Sequence, residues 1–495
     1  MLIKQRKLNF LLLLIFFVFP VYGNSLFQTP EGLEEDVEFW LKVFTNINTN
    51  QAFLHDSRYL GVIYEVIQIP KDASSSDRRR IADLAKDRYR NILKEISSDK
   101  SNLNDNQQRV LKLWPKDVTS DELYEASKRI RYQGGMSDRF LDGLQRAGAW
   151  RSYINAELAK YDVPQELSAL PHVESSFNPE ARSHVGASGL WQFTRSTGQR
   201  FMKINHVLDE RRDPFFSTTA AAKLLANNYS KLKSWPIAIT AYNHGVGGMT
   251  RAVKAIGSTD INRINKEYEG KSFGFASRNF YPAFLAALKV DNLAYEYFGK
   301  FNVEPEEDLL SVKIDFYVSV RTLINTLGLS LKTLKEYNPA LLDPVWIGNK
   351  YVPKGYSLIF PTSAQFKSKD DFLTAIPLDE KFKRQLPDLF YIVRNGDSLS
   401  LVAKRYDTTI RELVNLNNLK SENFIRIGQR IRLPVNELNI DIDRGIKTYT
   451  VRKGDSLSKI AQKFKTTQNS LINLNNLKNK DQIFVDQVLV IGPIG

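Results

Sequence analysis

The stretch DVPQELSALPHVESSFNP runs from Asp162 to Pro179. Asp162 is suited to cap a helix, Pro164 to sit in its first turn, and the Asn178-Pro179 pair to end it. The pattern therefore predicts one helix with Glu174 in its last turn. At 3.6 residues per turn Leu167, Leu170 and Glu174 share a narrow stripe, so the carboxyl faces the same way as leucines that should point inward. Two readings account for such a group. A neighbouring cation neutralises it, or desolvation raises its pKa and keeps it protonated as a general acid.

Outward from this stretch the pattern stays helical. Residues 146–300 contain an Ala-rich segment, STTAAAKLLANNYSKL, with Ser217 or Thr218 as candidate caps, and no run of alternating strands. The candidate carboxylates in DERRDPF, Asp209, Glu210 and Asp213, lie beside arginines and just before Pro214, which explains them as ion pairs or caps. Residues 30–145 read as a separate region of amphipathic helices with polar breaks. Within it, DRRRIADLAKDRYR from Asp77 places Ile81, Leu84 and Ala85 at helical spacing between charges of both signs, the pattern of a solvated helix.

The C-terminal third carries a repeat. YIVRNGDSLSLVAKRYDTTIRELVNLNNLK from Tyr391 aligns without a gap on YTVRKGDSLSKIAQKFKTTQNSLINLNNLK from Tyr449. In each copy a short alternating strand enters a Gly-Asp-Ser turn that can cap a helix. That helix presents Leu399, Val402, Ala403 and Tyr406, matched by Leu457, Ile460, Ala461 and Phe464. A second helix opens with Thr409 and Glu412 at capping-box spacing, and a strand ending in IRIGQRIRLP closes the unit. The order is strand, helix, helix, strand, over 389–434 and again over 447–492. These residues resemble the LysM family, and the resemblance implies binding of N-acetylglucosamine-containing glycans. A degenerate relative is expected at 305–365, where LSLKTLKEYNPAL and PKGYSLIFP echo the repeat without its Gly-Asp-Ser turn.

Composition narrows the setting. A chain of 495 residues with 42% hydrophobic and 25% charged residues should form several globular domains. Its net charge of +14 calls for a polyanionic partner or surface. The basic residues are spread along the chain rather than gathered into one stripe, so no nucleic-acid partner is expected, and cell-wall polymers or lipid headgroups fit better. Lys4, Arg6 and Lys7, the apolar run from Phe10 to Phe19, Pro20 and the small-residue pattern ending at Gly23 read as a secretory signal peptide over 1–23. The run is too short for the ~20 residues that cross a bilayer. With no cysteine, the chain has no lipid-attachment thiol, disulfide or zinc-thiolate site. The expected location is exported and non-lipidated, in the periplasm or cell envelope, with peripheral contact to the outer membrane compatible.

Three further stretches stand in order after Glu174: SHVGASGLWQF from Ser183, AYNHG from Ala241 and SRNFYPAFLAA from Ser277. With the Glu174-Ser175 pair they resemble the soluble lytic transglycosylase family of the lysozyme superfamily, particularly its membrane-bound type D branch, which also ends in LysM repeats. The resemblance implies a multidomain chain, with an all-α lysozyme-superfamily catalytic domain at 146–300 and small α+β (βααβ) LysM modules. It implies Glu174 as the catalytic acid. Ser175, Ser183, Gln192, Phe193, Tyr242 and Asn243 become candidate substrate contacts, with peptidoglycan glycan strands as partner and no cofactor or metal. The family's later tyrosine aligns with Phe280, so the nearest hydroxyl, on Tyr281, is taken as its replacement. Thr194, Arg195 and His244 are further departures.

The chemistry can be argued from one carboxyl. Most glycosidases need two, one to protonate the leaving oxygen and one to attack or to activate water. A single acid suffices where the substrate supplies its own nucleophile. The C6 hydroxyl of N-acetylmuramic acid can close onto C1 of the same ring, with Glu174 as acid and then base, leaving a 1,6-anhydro end. The rival readings are a hydrolytic muramidase on the same fold and a non-catalytic wall-binding scaffold.

Overall fold

A computed structural model of the protein describes Leu26 to Pro493, apart from 363–364, 387–388, 407, 420, 422–424, 435–445, 453, 465, 476, 478–482 and 486. The expected signal peptide lies outside the described residues. No helix among them is long and apolar enough to cross a membrane.

One apolar core runs from Phe27 to Ala294. Its axis is the helix Phe275–Asn292, which buries Phe280, Tyr281, Phe284, Leu285 and the alanines between them. Three helices lie against it: Glu34–Thr45, Leu170–Ser175 and Trp235–His244. The helix Pro214–Leu232 packs in turn on Trp235–His244, and it buries Ala220, Ala221 and Ala222, small side chains that let neighbouring elements approach. It starts at Pro214 and is capped by Asp213, not by Ser217 or Thr218, which are fully buried three to four residues inside it.

The boundary drawn at 145/146 does not coincide with a break in this core. Phe44 meets Phe140 at 5.1 Å, and the Trp40 indole donates to Asn279 Oδ1 at 3.0 Å, tying the first helix to the last long one. The first region is also not purely helical. β1 (Gln51–Asp56) lies between β2 (Ile63–Gln68) and β3 (Ile130–Gly134), antiparallel to both. Five consecutive residues of β1, Ala52 to Asp56, are buried, so the strand shows no alternation to read. The helix Ser75–Ser98, opened by a Ser74–Asp77 capping box, covers this sheet with Ala85, Tyr89, Ile92, Leu93 and Ile96. Leu84, expected on the apolar stripe, is 64% exposed.

Downstream, β4 (Leu309–Lys313) pairs antiparallel with β5 (Ser357–Pro361), and the helices Val320–Leu327 and Leu331–Tyr337 lie between them in sequence. This third module is built on a second apolar core, which extends to Ile376, beyond the 365 limit read from the sequence, and takes in Val207 and Leu208. The two repeat units share the same order. β6 (Leu389–Ile392) pairs with β7 (Arg430–Leu433) around the helices Leu399–Arg405 and Ile410–Asn417, and β8 (Ile446–Thr450) pairs with β9 (Val488–Pro493) around Leu457–Lys463 and Gln468–Leu474. Ser398 and Ser456 cap the first helices. The aspartates of the same turns do something else: each accepts the Arg394 or Arg452 backbone N–H and a tyrosine hydroxyl, Tyr391 at 2.5 Å and Tyr449 at 2.8 Å.

Candidate active site

Asp162 does not cap the helix that carries Glu174; it adopts a left-handed φ of 54° in the turn before it. Pro164 leads into a 3-10 turn, Gln165–Ala169, which widens into the α-helix Leu170–Ser175. Two successive left-handed residues, Ser176 (φ 51°) and Phe177 (φ 54°), end it before Asn178-Pro179 is reached. Leu167 and Leu170 are fully buried on the inward face, and Glu174 is half-buried beside them. Its carboxyl makes no hydrogen bond or ion pair among the described residues, and burial alone pushes its pKa up to about 8. At neutral pH the group therefore keeps its proton.

The end of this short helix is held from behind. Arg146 donates twice to the Ser176 carbonyl, from Nε at 3.2 Å and Nη2 at 2.7 Å. His172, two residues before Glu174 and turned to the opposite side, is fully buried between Phe140 and Phe177, each with its ring centroid 4.5 Å away. Burial lowers its pKa, so the ring is neutral and its Nε2–H donates to Asp291 Oδ1 at 3.2 Å. Asp291 also takes both arms of Arg151 at 2.7 Å. Burial would raise Asp291, but the His172 hydrogen bond and the Arg151 charge hold it well below the usual carboxylate range.

In front of Glu174 the segment from Ala181 to Phe193 folds back on itself. Gly189 N–H donates to Ala181 O, Ser188 N–H to Phe193 O, and Gln192 N–H to Gly189 O. Gly189 has φ 83° and lies so close to its neighbour that a Cβ there would stand 1.8 Å from the Arg211 carbonyl oxygen. The segment is tied to the helices by side chains. Ser175 Oγ donates to Leu190 O at 2.7 Å, Tyr242 OH to Trp191 O at 2.8 Å, and the Trp191 indole to Thr218 Oγ1 at 2.8 Å. Arg211 Nη1 donates to Gly186 O at 2.9 Å and Phe193 O at 3.0 Å while its other nitrogens grip Asp209.

The residues singled out from the sequence take different places around this segment. Ser183 accepts the Ala187 N–H through Oγ at the tip of the fold. Gln192, at φ 46°, donates its amide to Ala181 O and Gly189 O, and its side-chain oxygen makes no hydrogen bond among the described residues. Phe193 is buried, 6.0 Å from the Tyr242 ring. Burial and the neighbouring Glu174 charge raise the Tyr242 phenol far above its ordinary value, so it acts as a hydrogen-bond donor only. Asn243 is exposed and accepts from Ser277 Oγ at 3.1 Å, which in turn contacts His244 Nδ1 at 3.1 Å. Tyr281 is not brought to the site. It is 1% exposed and packs on Phe284, while Phe280 is the residue stacked on Tyr242, with ring centroids 6.4 Å apart and planes at 7°. Neighbours on a helix point ~100° apart, so one cannot stand in for the other.

Asp213 is another carboxyl with a strongly raised pKa, about 7 through burial, but it is fully enclosed and occupied in capping Phe215 and Phe216 N–H. Arg146, Arg151 and Asp291 carried no local signal, because their partners lie far along the chain.

A family model for the Transglycosylase SLT domain matches residues 152–265, and the LysM domain model matches 391–434 and 449–492. The chain thus carries an SLT domain followed by two LysM domains. The SLT match takes in Glu174, Ser175, Ser183, Gln192, Phe193, Tyr242 and Asn243 and stops before Phe280. Among curated proteins the chain is 28% identical over 336 residues to the membrane-bound lytic murein transglycosylase D of Escherichia coli (strain K12), covering 65% of this chain and 72% of that protein. It is 44% identical over 105 residues to a probable peptidoglycan endopeptidase, LytE, of Bacillus subtilis (strain 168), covering 20% of this chain and 31% of that one.

Proposed function

We propose that this chain, with its SLT domain and paired LysM domains, is a peptidoglycan lytic transglycosylase of the cell envelope. The observation that carries the proposal is the state of Glu174: a carboxyl with no countercharge, kept protonated by burial to a pKa of about 8, at the edge of a folded segment that presents Ser183 and Gln192. In the proposed reaction Glu174 gives its proton to the glycosidic oxygen between N-acetylmuramic acid and N-acetylglucosamine. The bond from C1 to that oxygen breaks, and the C6 hydroxyl of the muramic acid forms a new bond to C1. Glu174, now a carboxylate, takes the C6 hydroxyl proton and is ready for another cycle. No water is consumed, and the product ends in a 1,6-anhydro sugar. A single carboxyl is sufficient for this route, in keeping with the enclosure of Asp213, while ordinary hydrolysis needs a second accessible one.

Within this reading Gln192, through its unoccupied oxygen, and the exposed Asn243 contact polar groups of the sugar. Ser175 and Tyr242 hold the backbone of Leu190 and Trp191 in place. Mass spectrometry of digested sacculi tests the proposal. Anhydro ends are expected; products heavier by one water would mean a hydrolytic muramidase, and no products a binding scaffold.

Because the acid must start protonated, turnover should fall as pH rises through about 8 and show no such loss between pH 6 and 7. A pH–rate profile of kcat/KM on a short soluble glycan, which reports the free enzyme, reads this directly, and a value that held to pH 10 would contradict it.

The LysM modules are proposed to supply wall affinity and not chemistry. Ending the chain after Leu386 should weaken co-sedimentation with sacculi by about a hundredfold or more, through loss of two linked sites, and removing only the second module should cost less. Turnover on short glycans should stay nearly unchanged. Full sacculus binding after both are removed would place recognition elsewhere.

A further inference from the structure

We infer that the third module, built on β4 and β5, is a brace for the folded segment in front of Glu174. The inference rests on the reading of that segment as the substrate-binding wall. The module's core is not its own alone: Val207 and Leu208, from the SLT-matched region, are buried in it, and Phe216 packs against it. Backbone pairing joins the two. Leu208 bridges Leu341, Asp209 N–H donates to Ala340 O at 2.8 Å, and Leu342 N–H donates to Val207 O at 3.0 Å.

The residue held by Ala340 is also the residue that grips Arg211. Asp209 accepts Arg211 Nε at 2.9 Å and Nη2 at 2.7 Å in a pair with little exposure on either side. Arg211 Nη1 then holds Gly186 O and Phe193 O, the two ends of the fold that carries Gly189 and Gln192. A continuous line of hydrogen bonds thus runs from Ala340 through Asp209 and Arg211 to Gly186 and Phe193. Its central link is a charge-assisted, two-point pair in a buried setting, where such bonds are strongest. The module lies outside both spans matched by the LysM model and lacks the Gly-Asp-Ser turn, so support of the wall gives it a role that needs no glycan.

Two variants of the full-length chain test this. Leu342→Pro removes the N–H given to Val207, and also draws φ from −97° toward the roughly −65° that proline imposes. Asp209→Asn keeps the backbone bond to Ala340 and removes the ion pair. The reading is amide hydrogen exchange by mass spectrometry, with kcat and KM on a short glycan alongside. Exchange over 183–193 should quicken by about tenfold or more in both variants while the helix Phe275–Asn292 keeps its protection, and KM should rise more than kcat falls. Unchanged exchange over 183–193, or equal loss of protection throughout the Phe27–Ala294 core, would overturn the brace. Exchange needs no activity, so failure of the proposed reaction would leave this result standing.

Discussion

Glutamine at position 174 should abolish turnover and leave the protein at least as stable as the parent at neutral pH. Glu174→Gln preserves shape and removes only the transferable proton. General acid and general base catalysis are each worth about 10²- to 10⁴-fold, and here one residue supplies both, so the rate should fall to near background. The stability half follows from the raised pKa. In the unfolded chain the carboxyl ionises near 4.5, whereas in the folded protein it holds its proton to about 8. Folding is favoured in full below pH 4.5, and that contribution drains away as pH climbs toward 8, at about 1.4 kcal/mol per pH unit. Glutamine never ionises. The variant should therefore gain on the parent as pH rises and match it in acid. A structural ion pair would behave in the opposite way, since removing the anion would strand a buried cation at a cost of about 3 to 5 kcal/mol. Melting curves at pH 4.5 and pH 8, with release of anhydro products, separate the two. A variant that melts much lower yet still releases those products would refute the assignment of Glu174.

Alanine at 189 should have the second largest effect. Gly189→Ala places a Cβ 1.8 Å from the Arg211 carbonyl oxygen and 2.9 Å from its carbon, on a residue with φ 83°. Backbone faces backbone there, so neither side can step aside as a flexible side chain would. The segment has to move, and with it the bonds Gly189 makes to Ala181 and Gln192. A displacement of about 1 Å in a positioning element can cost 10²-fold in rate, and a loss of that size in kcat/KM is expected. Gly186→Ala is the control. Its φ is 80° but nothing lies within 4 Å of the new Cβ, so it should show only the left-handed penalty of about 1–2 kcal/mol. Equal effects from both substitutions would mean that conformation, and not the close approach to Arg211, sets the requirement for glycine.

The sequence was most legible where a signal is local. The repeat could be read because its Gly-Asp-Ser turn and alternating strand recur intact, and Glu174 stood out because a carboxyl on a leucine stripe is conspicuous within two turns. Legibility failed where tertiary structure overrides local preference. β1 is buried on both faces and so lacks alternation. Asp162 looked like a cap but serves a left-handed turn. Tyr281 was chosen for its hydroxyl, when the helix phase set by Phe284 and Tyr242 points Phe280 at the site. The supports behind Glu174 were beyond reach altogether, since Asp291 meets His172 from 119 positions away. The third module showed its echo of the repeat, but nothing in the letters marked Ala340 and Leu342 as partners of Val207 and Asp209.

The single core spanning Phe27 to Ala294 also bears on when the molecule can first work. Trp40 reaches its partner Asn279 across 239 positions, and Phe27 stands 5.4 Å edge-on to Phe284. A chain emerging from its N-terminus can lay the helix Glu34–Thr45 against Phe53 and Phe140 early, but its main partner, the helix Phe275–Asn292, emerges much later. Contacts this distant in sequence are slow to close. Until then Glu174 has no completed core behind it, and a hydrated carboxyl in that state ionises near its ordinary value and has no proton to give at neutral pH. The late arrival of one helix thus acts as a timer, and the acid becomes competent only once the chain as far as Asn292 is available to fold into one core.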